Sequence, residues 1–488
     1  MGKKDSRSKK GEDGKESKEK KTKKGISKES TINNILKNLS AEILKRSEDK
    51  SNGRWVKLDS ERPSPRAHSS FTRIQGELVV MFGGEFFDGV EVALYNDTFL
   101  YNLVTHEWMK LDSPSNPLPR CSHQALYYDN RIYIFGGEFN TVDQFRHFND
   151  IHYLCLTTLR WNLLNVSGPV PTPRSGHRMV LWNDYWVLFG GFHDNGKECS
   201  YYNDLYYFDI KKFKWNKVNQ AMFSNSLPEP RAGCVLLPLN DSKHLLMHGG
   251  FSKKDTGKNV SGTSYQDTWL IDMNSVLTNN ANILVWSKVQ SAKNAELSFE
   301  TGISYLSEKD CGIIFGGVND VDEGLSMKST FTNKCYKLNL NQRKYNPIEI
   351  GCKDISSKES TDQRGPGELE DIGGLSLTKT APTPRMNANV ALHNNVFYVY
   401  GGIVEIKSVE VTLSDMWALD LERNEWRCID AGFENYKMFA EQVESEESGG
   451  SEDDLSMDSD NSETSMDSDE YEELDVDSSS EDNSSMEE

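Results

Sequence analysis

The chain of 488 residues has no apolar run approaching the roughly 20 residues that a bilayer-spanning helix needs, so no membrane span is expected. Its N-terminus is a lysine run rather than a charged start followed by an apolar stretch, so no secretory signal is read there. None of the eight cysteines stands in a C-x-x-C or other metal-ligand spacing. Neither a zinc site nor a disulfide framework is expected, and a reducing cytoplasmic or nuclear compartment fits. The signatures G-x-S-x-G, Walker A and H-E-x-x-H are absent, which removes the commonest hydrolase, nucleotide-binding and metalloprotease readings. Bases are missing from the C-terminal end: residues 441–488 carry 21 acids and no Lys or Arg. Residues 1–50 carry 16 bases and 9 acids. The net charge of −20 therefore belongs to the tail, and the middle of the chain is only mildly acidic. Specific nucleic-acid binding is not expected of such a core, and the lysine arm would touch RNA only non-specifically. A hydrophobic content of 36% with 27% charged residues fits a folded core flanked by disordered extensions.

What the chain does have is a repeat. Six short apolar strands end in a glycine pair: Gly83-Gly84, Gly136-Gly137, Gly190-Gly191, Gly249-Gly250, Gly316-Gly317 and Gly401-Gly402. Trp108, Trp161, Trp215 and Trp426 each follow a pair by 24 residues, and insertions push Trp286 later. A period of this kind decides the fold before residue chemistry is considered. Each unit reads as four strands. The first follows a Pro-Arg dipeptide, supplying Arg66, Arg120, Arg174, Arg231 and Arg385, and turns through a polar pair such as Asp129-Asn130. The second runs into Gly-Gly, and a polar loop follows. The third opens after Asn96-Asp97, Asn149-Asp150, Asn203-Asp204, Gln266-Asp267 or Ser414-Asp415, and the fourth carries the tryptophan. Four-stranded sheets with two faces to bury are solved by radial stacking, which predicts an all-β, six-bladed propeller.

Pro-Arg, Gly-Gly, the polar pair and the spaced Trp together resemble the kelch repeat over residues 55–430. GGEFF at 83–87, GGEFN at 136–140, RSGHRMV at 174–180, GGFH at 190–193 and VTLSDMWALDL at 411–421 resemble the kelch domain-containing protein 4 group. The lysine-rich start and the insert before the last repeat resemble it too. The resemblance implies an intracellular propeller without a well-defined biochemical activity. Blades are expected near 62–112, 117–166, 171–220, 228–291, 297–350 and 382–430, with a disordered insert at 351–381. The fifth repeat departs from the pattern: Phe299-Glu300 replaces Pro-Arg, Lys334 replaces the acid and Tyr345 the tryptophan. The WVKL strand at Trp55 is read as an extra outer strand helping to close the ring.

The loops after Gly-Gly are long in every repeat, and the turns on the opposite face are short, so the long-loop face is the expected binding face. Glu85, Phe86, Phe87, Glu138, Phe139, Phe145, Phe192 and His193 are its candidate residues, since aromatics anchor interfaces. The two glutamates would receive a basic peptide or, by preference, pair with neighbouring arginines. The repeat arginines are expected to hydrogen-bond between blades with Asp97, Asp150, Asp204 and Asp267 rather than form an anion-binding ring. His68, His123 and His177 follow three of these arginines; they are read as ordinary repeat residues rather than a metal site, and no cofactor is expected.

Residues 1–30 are expected to be a basic disordered arm, and 440–488 an acidic disordered tail. Between the arm and the first blade, the spacing of Ile32, Ile35, Leu36, Leu39, Ile43 and Leu44 predicts one stripe of a short amphipathic helix over 31–46. The start Met1-Gly2-Lys3-Lys4-Asp5-Ser6 matches only the loose myristoylation pattern, so membrane attachment at Gly2 is not expected. Ser451, Thr464, Ser478, Ser479, Ser484 and Ser485 each precede an acid by three residues, a pattern for acidophilic kinases. The expected function is non-catalytic: a monomeric scaffold that binds other proteins or peptides. The alternatives are a propeller enzyme of copper-oxidase type and a ubiquitin-ligase adaptor lacking a BTB domain.

Overall fold

The computed structural model describes residues 52–432, apart from 59–61, 89–90, 142–144, 221–226, 240, 256–259, 279–282, 285, 290–303, 309–310, 323–326, 340–343, 350–369, 373–374, 378–379 and 407–408. The expected arm, amphipathic helix and acidic tail, as well as Phe299-Glu300, lie outside the described residues. The fold is the six-bladed β-propeller that the repeat predicts. From the channel outward the blades are 70–73, 78–82, 98–102 and 108–112; 124–128, 131–135, 151–155 and 160–163; 178–182, 185–189, 205–209 and 214–217; 235–238, 244–248, 268–272 and 287–289; 304–308, 311–315, 335–339 and 344–347; and 389–393, 396–406, 409–420 and 425–430. A short helix, Met273–Thr278, occupies part of the fourth repeat's insertion. Of the insert expected to be disordered, Glu370–Ile372 and Leu375–Leu377 pair as a short hairpin.

Inner strands are joined by tight turns. At Asp129-Asn130 and Asn394-Asn395 both residues have positive φ, between 48° and 60°. That is the mirror-image turn that suits strand twist and that Asn and Asp tolerate. At the other end of the second strand each glycine pair is left-handed. The space there admits no side chain: a Cβ at Gly83 would lie 2.5 Å from the Arg120 carbonyl oxygen of the next blade.

The blades are held together by one contact repeated six times. The aromatic or histidine near the end of each second strand packs on the fourth-strand aromatic of the following blade. Ring centroids are 4.8 Å apart for Phe82 and Trp161, 5.0 Å for Phe135 and Trp215, and 5.2 Å for Phe189 and Trp286. The fifth blade keeps the contact with different residues, Tyr345 lying 5.6 Å from His248. Phe315 and Trp426 follow at 5.7 Å, and Tyr400 of blade six meets Trp108 of blade one at 5.3 Å. That last pair is the closure. It is supported by Tyr398 donating to the Leu103 carbonyl at 2.9 Å, Asn389 donating to Ser69 Oγ at 3.0 Å, and an Arg62–Asp430 ion pair at 2.7 Å. The Trp55 strand, Arg54–Lys57, is a fifth, outermost strand of blade one. It does not close the ring, however. Trp55 packs into the core between blades one and two, and the Gly53 amide donates to Thr158 of blade two.

The segments after Gly-Gly are not loops. Residues 85–87 pair with 92–94, 138–140 with 145–147, 192–194 with 199–201, 251–255 with 260–264, and 318–322 with 327–331. In blade six the second and third strands run on past the glycines as one long ribbon. Six hairpins therefore stand on one face, and those of blades two and three, three and four, four and five, and six and one touch.

Candidate functional site: the mouth of the channel

The base of this hairpin crown is built on the Pro-Arg segments. Each repeat arginine is at most 1% exposed. Arg174 donates to both oxygens of Asp204 at 2.6 and 3.0 Å, to the Gly190 carbonyl at 3.0 Å and to Thr172, and lies 4.2 Å from the Tyr202 ring centroid. Arg120 with Asp150, Arg231 with Asp267 and Arg385 with Asp415 repeat the pattern. These partners belong to the arginine's own blade, so the expected inter-blade pairing is corrected. The side chain reaches the aspartate opening the third strand of the same sheet. The backbone makes the connection between blades: the Arg120 amide donates to Tyr95 of blade one, and its carbonyl accepts from Gly84. The asparagines beside the aspartates add a second tie, Asn96, Asn149 and Asn203 donating to the carbonyls of Pro117, Pro171 and Pro228. Asn333 does the same to Pro382 at 2.9 Å, so the fifth blade has lost its acid but kept this tie. Arg66 is the outlier. Asp97 is 3.8 Å away and is held by Lys110 at 2.6 Å instead.

Two residues past each arginine the chain is left-handed, at His68, Ser122, Gly176, Gly233 and Asn387. The Ser122 amide donates to the His68 carbonyl, Gly176 to Ser122, and Gly233 to Gly176, a belt of backbone hydrogen bonds around the channel. Asn387 joins it through its side chain, 3.0 Å from His68 Nε2. Above the belt, the first residue after Gly-Gly bridges to the residue following the arginine in five repeats: Glu85 to Ala67, Glu138 to Cys121, Phe192 to Ser175, Phe251 to Ala232 and Ile403 to Met386. Among the described residues these five post-glycine positions are thus fixed by paired backbone bonds. Belt, post-glycine residues and inner strands line a cavity of about 510 Å³.

The acids in this cavity sit in one sector. His68 Nδ1 donates to Glu85 Oε1 at 2.6 Å. Burial opposes charge on both groups, but the pair prevails, raising His68 and lowering Glu85 from their ordinary values. Glu138 is 8% exposed and accepts from Asn140 Nδ2 at 2.7 Å. His147 lies 3.6 Å from the same oxygen. It gives no proton, because its Nε2 accepts the Asp194 amide and burial lowers its pKa to about 4. Burial and the neighbouring Glu85 charge push Glu138 up to about 7. Native Glu138 therefore binds its proton more tightly than the unfolded chain, so its ionisation lowers stability as pH rises from the ordinary glutamate range to about 7. E138Q is expected to be more stable than the parent at pH 8, by about 1.4 kcal/mol for each pH unit separating the native and unfolded midpoints. The difference should vanish near pH 4. Thermal denaturation of both proteins across this range measures it; a constant difference would mean that Glu138 does not titrate as described.

Residues 68–317 match the family described as the KLHDC2/KLHL20/DRC7 Kelch-repeats domain, and residues 384–430 match the Kelch motif. The chain belongs to the kelch-repeat family. Similar proteins include the host cell factor homolog hcf-1 of Caenorhabditis elegans, 25% identical over 67% of this chain and 36% of that protein. Tip elongation aberrant protein 1 of Schizosaccharomyces pombe is 30% identical over 39% of this chain and 17% of its own length. Human host cell factor 1 is 26% identical over 45% of this chain and 11% of its own. The chain thus spans about a third or less of these relatives. The solved structure of YjhT shares the fold, with a TM-score of 0.50 and 15% identity over 76% of this chain and 99% of that one.

Within the kelch frame the candidate residues separate. Alternation along the hairpin strands turns successive side chains to opposite sides. Glu85, Glu138 and Phe192 line the channel mouth, whereas Phe86, Phe139 and His193 do not. His193 instead bonds the Pro173 carbonyl and packs on His147. Phe87 and Phe145 are 37% and 50% exposed on the crown. The glutamates pair with His68 and Asn140, not with arginines as expected. The three histidines do not share a register: His68 is on the belt, while His123 and His177 sit one position further along, buried under Gly83 and Gly136 of the preceding blades. Burial there lowers His123 to about 3. Sequence reasoning missed Tyr201, Phe251, Asn387 and Arg178, all on the cavity wall. Phe251 and Asn387 were findable by position, since they stand where Glu85 and His68 stand in the first repeat.

Proposed function

We propose that the chain is a non-catalytic protein-interaction module that holds partner proteins on the hairpin face of its kelch ring. The observation carrying this reading is that one face projects paired strands, with Phe87 and Phe145 exposed on them, around an open cavity. Rigid strands presenting aromatics cost little ordering entropy on binding, which is what an interface anchor requires. On the motifs at 83–87, 136–140 and 411–421 we place the chain with the kelch domain-containing protein 4 group, acting as a monomer in cytoplasm or nucleus.

The test is quantitative affinity purification from the source cell with the parent chain and F87D/F145D. Charge at two exposed anchors leaves the fold intact and is expected to strip most specific partners. An unchanged partner set would remove the exposed crown aromatics from the interaction. Metal analysis of the pure protein bears on the non-catalytic part: stoichiometric copper would overturn it.

A further inference from the structure

The channel mouth has a chemical polarity that the scaffold does not need. Six positions follow the six glycine pairs, equivalent in the repeat, and they hold Glu85, Glu138, Phe192, Phe251, Val318 and Ile403. Acids occupy blades one and two, and apolar side chains the other four. The aromatic sector is continuous: Phe192 stacks on Tyr201 at 5.6 Å, and Tyr201 meets Phe251 edge-on at 6.5 Å. Among the described residues the fixed cation on the cavity wall is Arg178, and it is engaged elsewhere. Its Nε donates to the Cys234 carbonyl at 2.7 Å, and its guanidinium lies 5.8 Å from the Tyr305 ring centroid, on the side of blades four and five. Glu85 takes the titratable His68 as its charged partner, and Glu138 takes an amide. A cavity of about 510 Å³ is in the range of ligand sites, too large to be a packing defect.

We propose that the channel mouth receives a lysine or arginine side chain from a partner protein, with Glu85 and Glu138 taking the charge and Phe192 and Phe251 flanking the stem. This rests on the reading of the hairpin face as the binding face and names the chemistry that face selects. A carboxylate pair next to aromatic faces suits a cation in two ways, through ionic hydrogen bonds and through the ring quadrupoles. In the free protein a proton on Glu138 fills the role of that cation below its midpoint of about 7. Binding should therefore release the proton and strengthen with pH. The groups facing Glu138 act in the same sense or not at all: His68 loses its charge as pH rises, His147 is already neutral, the Cys121 thiol is pushed far up by burial, and Glu85 stays ionised.

The test uses the full chain and a blocked pentapeptide, Gly-Gly-Arg-Gly-Gly, against the same peptide with neutral citrulline, followed by saturation-transfer NMR at physiological salt. Transfer to the arginine methylenes that citrulline does not reproduce, and that is lost in E85Q/E138Q, is the expected result. A signal persisting in E85Q/E138Q would come from the acidic residues 441–488 and would overturn the proposal, as would equal binding of citrulline. The pH series needs no variant: affinity of the parent chain should rise about tenfold between pH 6 and pH 8 as a carboxyl with a midpoint near 7 ionises. A flat profile would count against it. If the pentapeptide fails while F87D/F145D still strips partners, the cation pocket falls and the interaction face stands. If the pentapeptide binds while F87D/F145D keeps every partner, the pocket stands and the exposed crown falls.

Discussion

Replacing Arg174 by alanine is expected to cost about 3–5 kcal/mol, because it empties a fully buried site and leaves the half-buried Asp204 carboxylate without its partner. Urea denaturation followed by tryptophan fluorescence measures the loss. The side chain serves several groups at once: two bonds to Asp204, one to Gly190, two to Thr172 and a stack on Tyr202. Two controls separate pairing from packing. R174M/D204L removes both charges and should be much milder than R174A, since an apolar pair needs no compensation. R66A should also be milder, because Asp97 already has Lys110. If R66A proves as harmful as R174A, the carboxylate pairing is not what these arginines contribute. Acid should mimic the loss. Burial alone would raise Asp150 and Asp267, but Arg120 and Arg231 hold both below the ordinary range. Their stabilisation is present above the unfolded aspartate value of about 4 and disappears as pH falls through the lower native values.

W108A should be of similar size, about 3–5 kcal/mol for a large buried aromatic, but with a different signature. Trp108 is 6% exposed and packs on Tyr101, Phe71 and, across the closure, Tyr400. No peptide links blade six to blade one as it links the other neighbours, so the closure depends on side chains. Hydrogen exchange is expected to show residues 70–73 and 389–393 opening below the global unfolding free energy in W108A. W161A, at the covalently joined interface of blades one and two, should lose stability without that local opening. Identical exchange patterns would mean that the closure is no weaker than any other interface.

Much of this is legible in the sequence because the repeat aligns chemically equivalent positions. Gly-Gly, Pro-Arg and the spaced Trp place all six blades, and the paired loss of Arg and acid in the fifth shows which groups answer each other. The direction of that answer is not legible. A bond between residues 30 apart can lie within a blade or across to the next, and only the positions of Asp150 and Asp204 at the start of their own third strands decide it. The crown reads as loops because residues such as Asp88-Gly89 and Asn195-Gly196 carry turn chemistry whatever the size of the hairpin, and the flanking strands are only three residues long. The histidines mislead through a register difference of one. Position two past the arginine faces the channel and position three faces the preceding blade, so His68 does not correspond to His123 and His177.

The hairpins also set a depth. Glu85 and Glu138 stand at the bottom of walls three residue pairs high on their own blades and five on blade four. At about 3.3 Å per residue the paired strands extend roughly 7 to 13 Å beyond the level of the glutamates. A flat protein surface cannot reach them. On the proposed reading what enters must be narrow, a chain end or the tip of an extended loop, and the ring would sort partners by shape before it sorts them by charge.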